Sequence, residues 1–299
     1  MWFKNLVVYR LSRVARDADS LERKLALQRL QSCGSLQMES RGWICPFEEG
    51  LFHYRRDRHW LVALGVEEKL LPASIIRQQA EDRAQKIAQH QGRPVGRKEM
   101  RDIKQKVTDE LLPRALAQRR ITHAWIDDAN GWLAVNAASE AKAEEFTEAL
   151  RRADNSMLPQ RLETQRSPAA AMADWLVRGG APGAFCIDQD LEMRSPDCSK
   201  ATVRYARHNL EGREIRDHIA AGKAVVRLGL TWNDKVSFVL TEQLQIRRLI
   251  FPDILKRELG VEVEGENEQF EADFSLMTGE LSRMLADLVK ALGGEKTKA

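Results

Sequence analysis

The sequence lacks the features that mark a membrane protein, a secreted protein or a nucleotide-dependent enzyme. Its 299 residues contain no apolar run that approaches the roughly 20 residues needed to cross a bilayer. The opening residues show no charged segment ahead of a long apolar stretch, so we expect no secretion signal. The sequence has neither a P-loop motif nor a GxGxxG fingerprint. We therefore expect a protein with no contact with membranes and no nucleotide cofactor.

Cysteine and histidine are too sparse and scattered to form a recognisable metal site. The four cysteines, Cys33, Cys45, Cys186 and Cys198, include no CxxC pair, and the six histidines include no HExxH pattern. Paired cysteines at short spacing would be expected of a zinc site or a disulfide framework. The pattern predicts reduced thiols in a cytoplasmic protein, with no metal and no cofactor.

Acidic residues provide the only route to catalysis that the sequence leaves open. A metal-dependent nuclease needs several carboxylates that converge on one or two ions. The adjacent pairs at 48–49 and 127–128 would point apart on regular backbone, whereas Asp188 and Asp190 could share one face of a strand. A nuclease that uses Asp188 and Asp190 is therefore the enzymatic alternative. No catalytic motif supports it, and we expect a protein without catalytic residues.

The net charge of +3 conceals an uneven distribution of charge along the chain. From Arg77 to Arg120 there are twelve Lys or Arg residues and six Asp or Glu residues. From Val261 onward there are four basic and nine acidic residues. A solvated surface is the plainer explanation of such a run, but the asymmetry also fits a localised basic surface that faces a polyanion.

Hydrophobic periodicity and turn residues predict an α+β fold with mixed or antiparallel sheets, flanking helices and an inserted helical arm. Strands are predicted at residues 3–11, 43–47, 60–64, 184–187 and 202–206. Hairpins are predicted at 124–135, with a tight turn at Asn130-Gly131, and at 224–240, with a turn at Asn233-Asp234. Helices are predicted at 20–30, 97–112, 139–152, 170–177, 212–221 and 274–292, with another from Pro72 to Gly92.

The same pattern suggests four parts of the chain. They are a sheet-containing part at 1–71, the helical arm at 72–120, a hairpin and helix at 121–160, and an α+β part with a closing helix at 161–299. The polar, proline-bearing stretch at 154–168 is the best candidate for a boundary between units.

The second helix of the arm carries a row of cations without acidic neighbours. At 100° per residue, Arg97, Arg101 and Lys104 fall within about 60° of one another. None has an acid three or four residues away, whereas Lys98 and Lys106 each have an acid four residues away. Cations without partners along one edge suit a surface that meets phosphates.

Two absences indicate which kind of nucleic acid the protein would bind. Aromatic residues make up 6% of the chain and lie mostly within strand patterns, so no row of stacking side chains indicates a single-strand channel. No helix-turn-helix or zinc-finger pattern indicates base-specific reading. The sequence therefore favours contact with the backbone of duplex DNA.

Several short segments resemble the RdgC family of bacterial recombination-associated proteins. They occur in consistent order and spacing along the whole chain. The segments are WFKNLVVYRLSR at 2–13, CGS at 33–35, EEKLLP at 67–72, LLPRA at 111–115, WID at 125–127 with NG at 130–131, HI at 218–219 with AGK at 221–223, DF at 273–274 with LMTGEL at 276–281, and LGG at 292–294.

The resemblance implies a cytoplasmic, nucleoid-associated protein that forms a ring-shaped homodimer around double-stranded DNA. Such a ring has a basic central hole, binds with little sequence preference, and opposes RecA-driven strand exchange by occupying DNA. At matching positions, the resemblance places the shared basic surface at Lys4, Arg10, Arg13, Arg114 and Lys223.

The resemblance also places two dimer contacts, one near Leu116 and one near Arg207 and His208. The chain departs from the family at both. Leu116 stands where a larger aromatic residue is usual, and Arg207-His208 stands where lysine and glutamine are usual. Direct inhibition of the recombinase through protein contact is the alternative to occupation of DNA.

Overall fold

In the described part of the chain, twelve β-strands form one sheet in which every strand pairing is antiparallel. The computed structural model describes residues 2–11, 17–47, 50–197, 201–252 and 265–296. The strands are β1 Asn5–Leu11, β2 Glu39–Ile44, β3 His53–Arg56, β4 His59–Lys69, β5 Ala117–Asp127, β6 Trp132–Val135, β7 Pro159–Arg161, β8 Phe185–Arg194, β9 Thr202–Tyr205, β10 Ala224–Trp232, β11 Val236–Thr241 and β12 Gln245–Ile250. They run in the order β2-β4-β5-β6-β1-β12-β11-β10-β8-β9, with β3 beside β4 and β7 beside β1.

Seven α-helices accompany the sheet in the described part of the chain. Polar side chains begin three of them: Asp17, Ser139 and Ser167 each accept a hydrogen bond from a first-turn N–H. No helix among the described residues is long and apolar enough to span a membrane. The helices are α1 Ala18–Leu27, α2 Ala73–Gln91, α3 Arg97–Leu111, α4 Glu140–Ala153, α5 Pro168–Arg178, α6 Arg213–Ala220 and α7 Glu266–Ala291.

Both faces of the sheet are packed, but by different helices. On one face, α5 and α7 bury a large core that includes Trp175, Phe274 and Trp232. On the other face, α1 and α4 cover the first half of the sheet, where Leu21 and Phe146 are fully buried. Burial of aromatic and branched side chains on both faces supplies most of the driving force for this architecture.

The arm is a helical hairpin with a small core of its own. Helices α2 and α3 pack through Ala80, Ala84, Ile103 and Val107, and no residue of the sheet takes part in that cluster. Gly92 ends α2 at φ 64°, which a glycine adopts without strain. A 3₁₀ turn, Leu112–Arg114, then returns the chain to β5. The arm therefore joins the rest of the molecule at its base.

A buried lysine lies at that base. The Nζ atom of Lys69, at the end of β4, donates hydrogen bonds to the carbonyls of Gly34 at 2.9 Å, Ser35 at 2.8 Å and Leu112 at 3.1 Å. The adjacent Leu70 N–H donates to the Leu116 carbonyl at 2.7 Å. These bonds fasten the start of the arm to its end.

The predicted α+β fold class, antiparallel sheet, flanking helices and helical arm are confirmed, while the assembly into a ring stays a prediction. The division into four parts also stays a prediction. One sheet draws residues from all four of those parts, since β5 begins at Ala117, and the stretch expected to be a boundary contributes β7, which pairs with β1.

The turn of the first hairpin differs from the prediction. Asn130 and Gly131 do not form a two-residue turn with two positive φ angles, because the loop contains four residues and only Gly131, at φ 68°, is left-handed. Asp127 orders the loop: its carboxylate accepts hydrogen bonds from Asn130 N and Nδ2 at 3.0 and 2.8 Å. In the second hairpin, Asn233 and Asp234 do have positive φ angles of 50° and 53°.

Candidate nucleic-acid interface

Helix α3 presents the predicted row of cations to solvent. Arg97, Arg101 and Lys104 are all exposed, and Ile103 and Val107 turn the adjacent face of the helix toward α2. Across the described residues, none of the three cations has a carboxylate within 4 Å. Their charges are therefore free to meet a ligand. We call these three residues the arm stripe.

Two acids of the arm pair with residues that the sequence did not indicate. Arg83 of α2 reaches across to Glu110 of α3 and binds both carboxylate oxygens, one of them at 2.8 Å. Glu99 pairs with Arg93 at 3.3 Å. These contacts cross between the two helices or link the connecting loop to α3, and they also hold the arm together.

The expected pairing of Lys98 and Lys106 with acids on their own helix is wrong. In the part of the chain that the structure describes, neither lysine has an acid within 4 Å. Arg83 takes Glu110 because its planar guanidinium binds a carboxylate with two parallel hydrogen bonds. Asp102 lies C-terminal to Lys98, which is the weaker order for a helical ion pair. The arm stripe therefore differs from Lys98 and Lys106 in the direction in which its side chains leave the helix. It does not differ from them in the presence of acidic partners.

The cations that the family resemblance indicated occupy different environments. Lys4 and Arg114 are exposed, and Lys223 lies with its Nζ 3.1 Å from Nδ1 of His218. Arg13 lies outside the described residues. Arg10 binds both carboxylate oxygens of Glu295, at 3.0 and 2.7 Å. It also donates to the Asn130 carbonyl and lies 6.0 Å from the ring centre of Trp132.

The structure does not bring these residues together in one cluster. Strand β1 separates Lys4 from Arg10 by about 20 Å of extended chain. The fork of the Arg10 guanidinium is occupied by Glu295, so Arg10 holds the C-terminal segment against the first hairpin. Whether these residues contact DNA stays a prediction.

Two further cations of α2, Arg77 and Lys86, are exposed, and the sequence analysis did not single them out. Within the described ranges neither has a carboxylate partner. Helical stepping could not have indicated them, because Arg77 has Glu81 and Lys86 has Asp82 four residues away, and the two cations fall about 180° apart on the helix.

Leu116 lies in an apolar surface patch at the base of the arm. Its side chain is 77% exposed, which is unusual for a leucine beside a β-strand. Leu70, whose N–H donates to the Leu116 carbonyl, and Ile75 in the first turn of α2 are also exposed. Exposed apolar side chains near one another are typical of a surface that a protein partner covers. We call these three residues the base patch.

Arg207 and His208 lie beyond the edge strand β9, at the other end of the sheet. Arg207 has a positive φ of 53°, and its N–H donates to Oδ1 of Asp190 at 3.3 Å. The His208 ring lies 5.3 Å from that of Tyr205. Seven strand spacings separate β5, next to Leu116, from β9, which is about 34 Å. The two proposed dimer contacts are therefore distinct surfaces.

The carboxylates considered for a nuclease are only partly brought together. Asp188 and Asp190 do share a face, since a Cβ on Gly229 would lie 3.1 Å from the Cβ of the first and 3.3 Å from that of the second. Burial, together with the charge of Asp190, raises the pKa of Asp188, although Thr231 donates a hydrogen bond to it.

The other acidic pairs do not form such a site. Asp127 is fully buried in the hairpin loop, where Ser282 donates to it at 2.7 Å, and Asp128 pairs with Arg58 at 3.6 Å. The pair at 48–49 lies outside the described residues. Among the residues that the structure describes, no three His, Cys, Asp or Glu side chains are arranged to hold a metal ion.

Comparison with known proteins assigns the whole chain to one group. A family model described as "Putative exonuclease, RdgC" matches residues 1–295. Three similar proteins are each named recombination-associated protein RdgC. That of Herminiimonas arsenicoxydans is 48% identical over 299 residues and covers all of both chains. That of Dechloromonas aromatica is 46% identical over 303 residues, also covering all of both chains. That of Bordetella parapertussis is 45% identical over 297 residues, or 99% of each chain.

Proposed function

The chain belongs to the RdgC family of recombination-associated proteins, and on that premise we propose that it is a non-catalytic protein that binds double-stranded DNA without sequence preference. The observation that carries the proposal is the arm stripe. Arg97, Arg101 and Lys104 are exposed on an arm that stands away from the sheet, and no acid neutralises them among the described residues.

The geometry of the arm stripe suits the backbone of a duplex. The stripe covers about 10 Å of helix axis, a length over which duplex DNA presents about six charges. Arginine and lysine at this spacing can each reach a phosphate oxygen, and phosphate contacts carry no sequence information. Binding therefore depends on charge and position and not on base sequence.

Two well-separated surfaces support a dimeric ring. A closed assembly of two subunits that leaves a central hole needs two self-complementary contacts on each subunit. The base patch around Leu116 and the segment with Arg207 and His208 lie about 34 Å apart, as such an arrangement requires. In this proposal the ring occupies duplex DNA and so limits the access of RecA.

The proposal is tested by the salt dependence of duplex binding. We expect similar affinities for unrelated duplexes, and a fall of log affinity against log salt with a slope of about −0.9 per phosphate contact over roughly 5 to 10 contacts. Fluorescence anisotropy of labelled duplexes measures both. A strong preference for one short sequence, or affinity that does not change with salt, would contradict the proposal.

A matched pair of variants tests the arm stripe itself. We expect Arg101→Gln with Lys104→Gln to weaken duplex binding and to flatten the salt slope by about one contact for each phosphate lost. Lys98→Gln with Lys106→Gln removes the same charge from other directions on α3 and should have a much smaller effect. Equal losses would show that only overall charge matters. No loss in the first variant would remove α3 from the DNA surface, and the triple change that includes Arg97 extends this test.

Two alternatives to this proposal can be tested separately. If the protein acts by occupying DNA, a large excess of duplex should relieve its inhibition of RecA, whereas inhibition that persists would indicate direct protein contact. A nuclease is the second candidate, because Asp188 and Asp190 share a face and the matching family model is described as a putative exonuclease.

A further inference from the structure

A cleft of about 240 Å³ opens on the second half of the sheet, on the face opposite α5 and α7. Strands β8 to β12 and the start of β1 form it, and arginines line it: Arg204 of β9, Arg227 of β10, and Arg247 and Arg248 of β12. The sequence analysis assigned no role to any of these arginines.

The pairing of the strands explains why the arginines meet. Residues directly opposite in an antiparallel pair point to the same face. Arg204, Glu192 and Arg227 are opposite one another across β9, β8 and β10 and form one row. Arg247 and Val239 are opposite across β12 and β11, and Gly229 continues this second row on β10. Since Gly229 and Val239 are small, the space between the long side chains stays open.

The ladders are irregular beside this cleft. The pairing of β11 with β12 slips by one residue between Ser237 and Val239, where Arg248 adopts a φ of 52°. A bulge of this kind turns an extra side chain toward a face that it would not otherwise reach. The pairing of β8 with β10 is interrupted twice beside Arg227 and Gly229. A left-handed backbone conformation raises the energy of a residue other than glycine. The sheet is therefore both strained and irregular at the point where it places Arg248 beside Arg247.

The two carboxylates of the cleft offset the charges of two of its four arginines. Glu192 accepts a hydrogen bond from Arg227 at 3.3 Å, and Asp190 lies 3.8 Å from Arg248. Within the described residues, Arg204 and Arg247 have no acid within 4 Å. Arg247 donates instead to the side-chain oxygen of Gln245 at 3.0 Å. Partial burial, together with the charge of Arg227, lowers the pKa of Arg247.

We propose that this cleft binds a phosphate group, held by Arg247 and Arg204 and bordered by Arg227 and Arg248. A tetrahedral anion supplies acceptors for several forked N–H groups at once and offsets the repulsion between neighbouring guanidinium groups. The inference goes beyond the proposed duplex binding, since it concerns a different surface and requires no contact from the arm. The phosphate comes either from a nucleic-acid backbone or from a free phosphate monoester or inorganic phosphate.

The first experiment is a phosphorus NMR titration of the full chain with inorganic phosphate at fixed ionic strength. We expect saturable binding that Arg247→Gln weakens by about tenfold or more, as the loss of a charge-assisted hydrogen bond requires. Arg204→Gln lies on an exposed edge strand and provides a second test that does not depend on the partly buried Arg247. Absence of saturable binding, or unchanged affinity in both variants, would overturn the proposal.

A control and a second probe complete the test. Arg178→Gln removes one arginine from α5, which packs on the opposite face of the sheet, and should leave the phosphate affinity unchanged. An equal loss of phosphate affinity in Arg178→Gln would show that only the overall charge of the protein matters, and it would overturn the proposed site. Dimethyl phosphate, a phosphodiester, then identifies the source. If it competes and Arg247→Gln also weakens duplex binding, the cleft holds a backbone phosphate. If only inorganic phosphate binds, the site takes a free phosphate.

The two proposals fail separately. Loss of duplex binding in the arm-stripe variants leaves phosphate binding in the cleft intact, because α3 contributes nothing to the cleft. Conversely, a cleft that binds no phosphate does not alter the expectation for Arg101 and Lys104.

Discussion

The ammonium group of Lys69 donates a hydrogen bond to the carbonyl of Leu112 at 3.1 Å, and it thereby joins the strand that leads into the helical arm to the turn that leads out of it. The same nitrogen also binds the carbonyls of Gly34 and Ser35. Its side chain is buried and so is Leu112, whereas Gly34 and Ser35 are exposed. The lysine thus adds a buried hydrogen bond to the pairing of β4 with β5 that holds the base of the arm.

We expect Lys69→Met to lower the free energy of unfolding by about 1 to 3 kcal/mol, because the substitution keeps the apolar stem but leaves the buried Leu112 carbonyl without a donor. Urea denaturation measures the loss, and amide hydrogen exchange should show faster exchange in α2 and α3. Lys86→Met, on the exposed side of the arm, is the matched control and should be nearly neutral. Equal denaturation midpoints for wild type and Lys69→Met would show that the lysine does not fasten the arm.

The second prediction concerns assembly. Leu116→Asp places a charge in the base patch, and burial of that charge in an apolar contact is unfavourable. We expect the ring to open while the contact near Arg207 and His208 still holds a dimer, as seen by sedimentation and electron microscopy. Leu27→Asp alters another exposed leucine, on α1, and should leave the ring closed. A purely monomeric Leu116→Asp variant, or a ring that stays closed, would contradict this placement.

The nuclease alternative has a direct assay. A protein that binds DNA without catalysis should leave linear duplex intact in the presence of magnesium, whether or not Asp188 and Asp190 are present. We therefore expect no cleavage by the wild-type chain on a denaturing gel. Magnesium-dependent cleavage that disappears in the double variant Asp188→Ala with Asp190→Ala would establish the nuclease and refute the non-catalytic proposal.

A buried histidine predicts a pH dependence of stability. Burial lowers the pKa of His123 to about 4, despite a hydrogen bond to the backbone of Pro46. The unfolded chain takes up this proton near pH 6.5, so protonation favours unfolding between about pH 6.5 and pH 4. The free energy of unfolding should fall by about 1 to 2 kcal/mol from pH 7 to pH 5. Urea titrations should show a smaller fall for His123→Leu, and an identical fall would rule out this histidine as the cause.

Regular elements with strong local signals could be predicted from the sequence. The branched and aromatic residues of β1, and the caps of α2 at Pro72 and Gly92, determine their elements locally. Strands β3, β7 and β12 were not predicted. The four residues of β3 are mostly polar, and the bulge at Arg248 interrupts the alternation of side chains that would have indicated β12. Irregular pairing is a property of two strands together and cannot be seen in one.

The residues of the candidate site were likewise predictable only in part from the sequence. The directions of Arg97, Arg101 and Lys104 follow from helix geometry, and the structure places all three on the exposed side of α3 as expected. The engagement of Arg10 by Glu295 could not be predicted, because 285 residues separate the two in the sequence. Only the folded sheet brings them within hydrogen-bonding distance.

The position of β1 within the sheet has a consequence for synthesis of the protein. This first strand lies at the middle of the sheet, between β6 and β12, and residue Asn5 pairs with Arg247. While the chain is still emerging from the ribosome, β1 can pair with β6 and β7, but its residues 5–7 keep an open edge until β12 appears. Contacts of such long sequence separation slow folding, and an unpaired edge invites association with other chains. The newly made N-terminal half is therefore the form of this protein most exposed to aggregation.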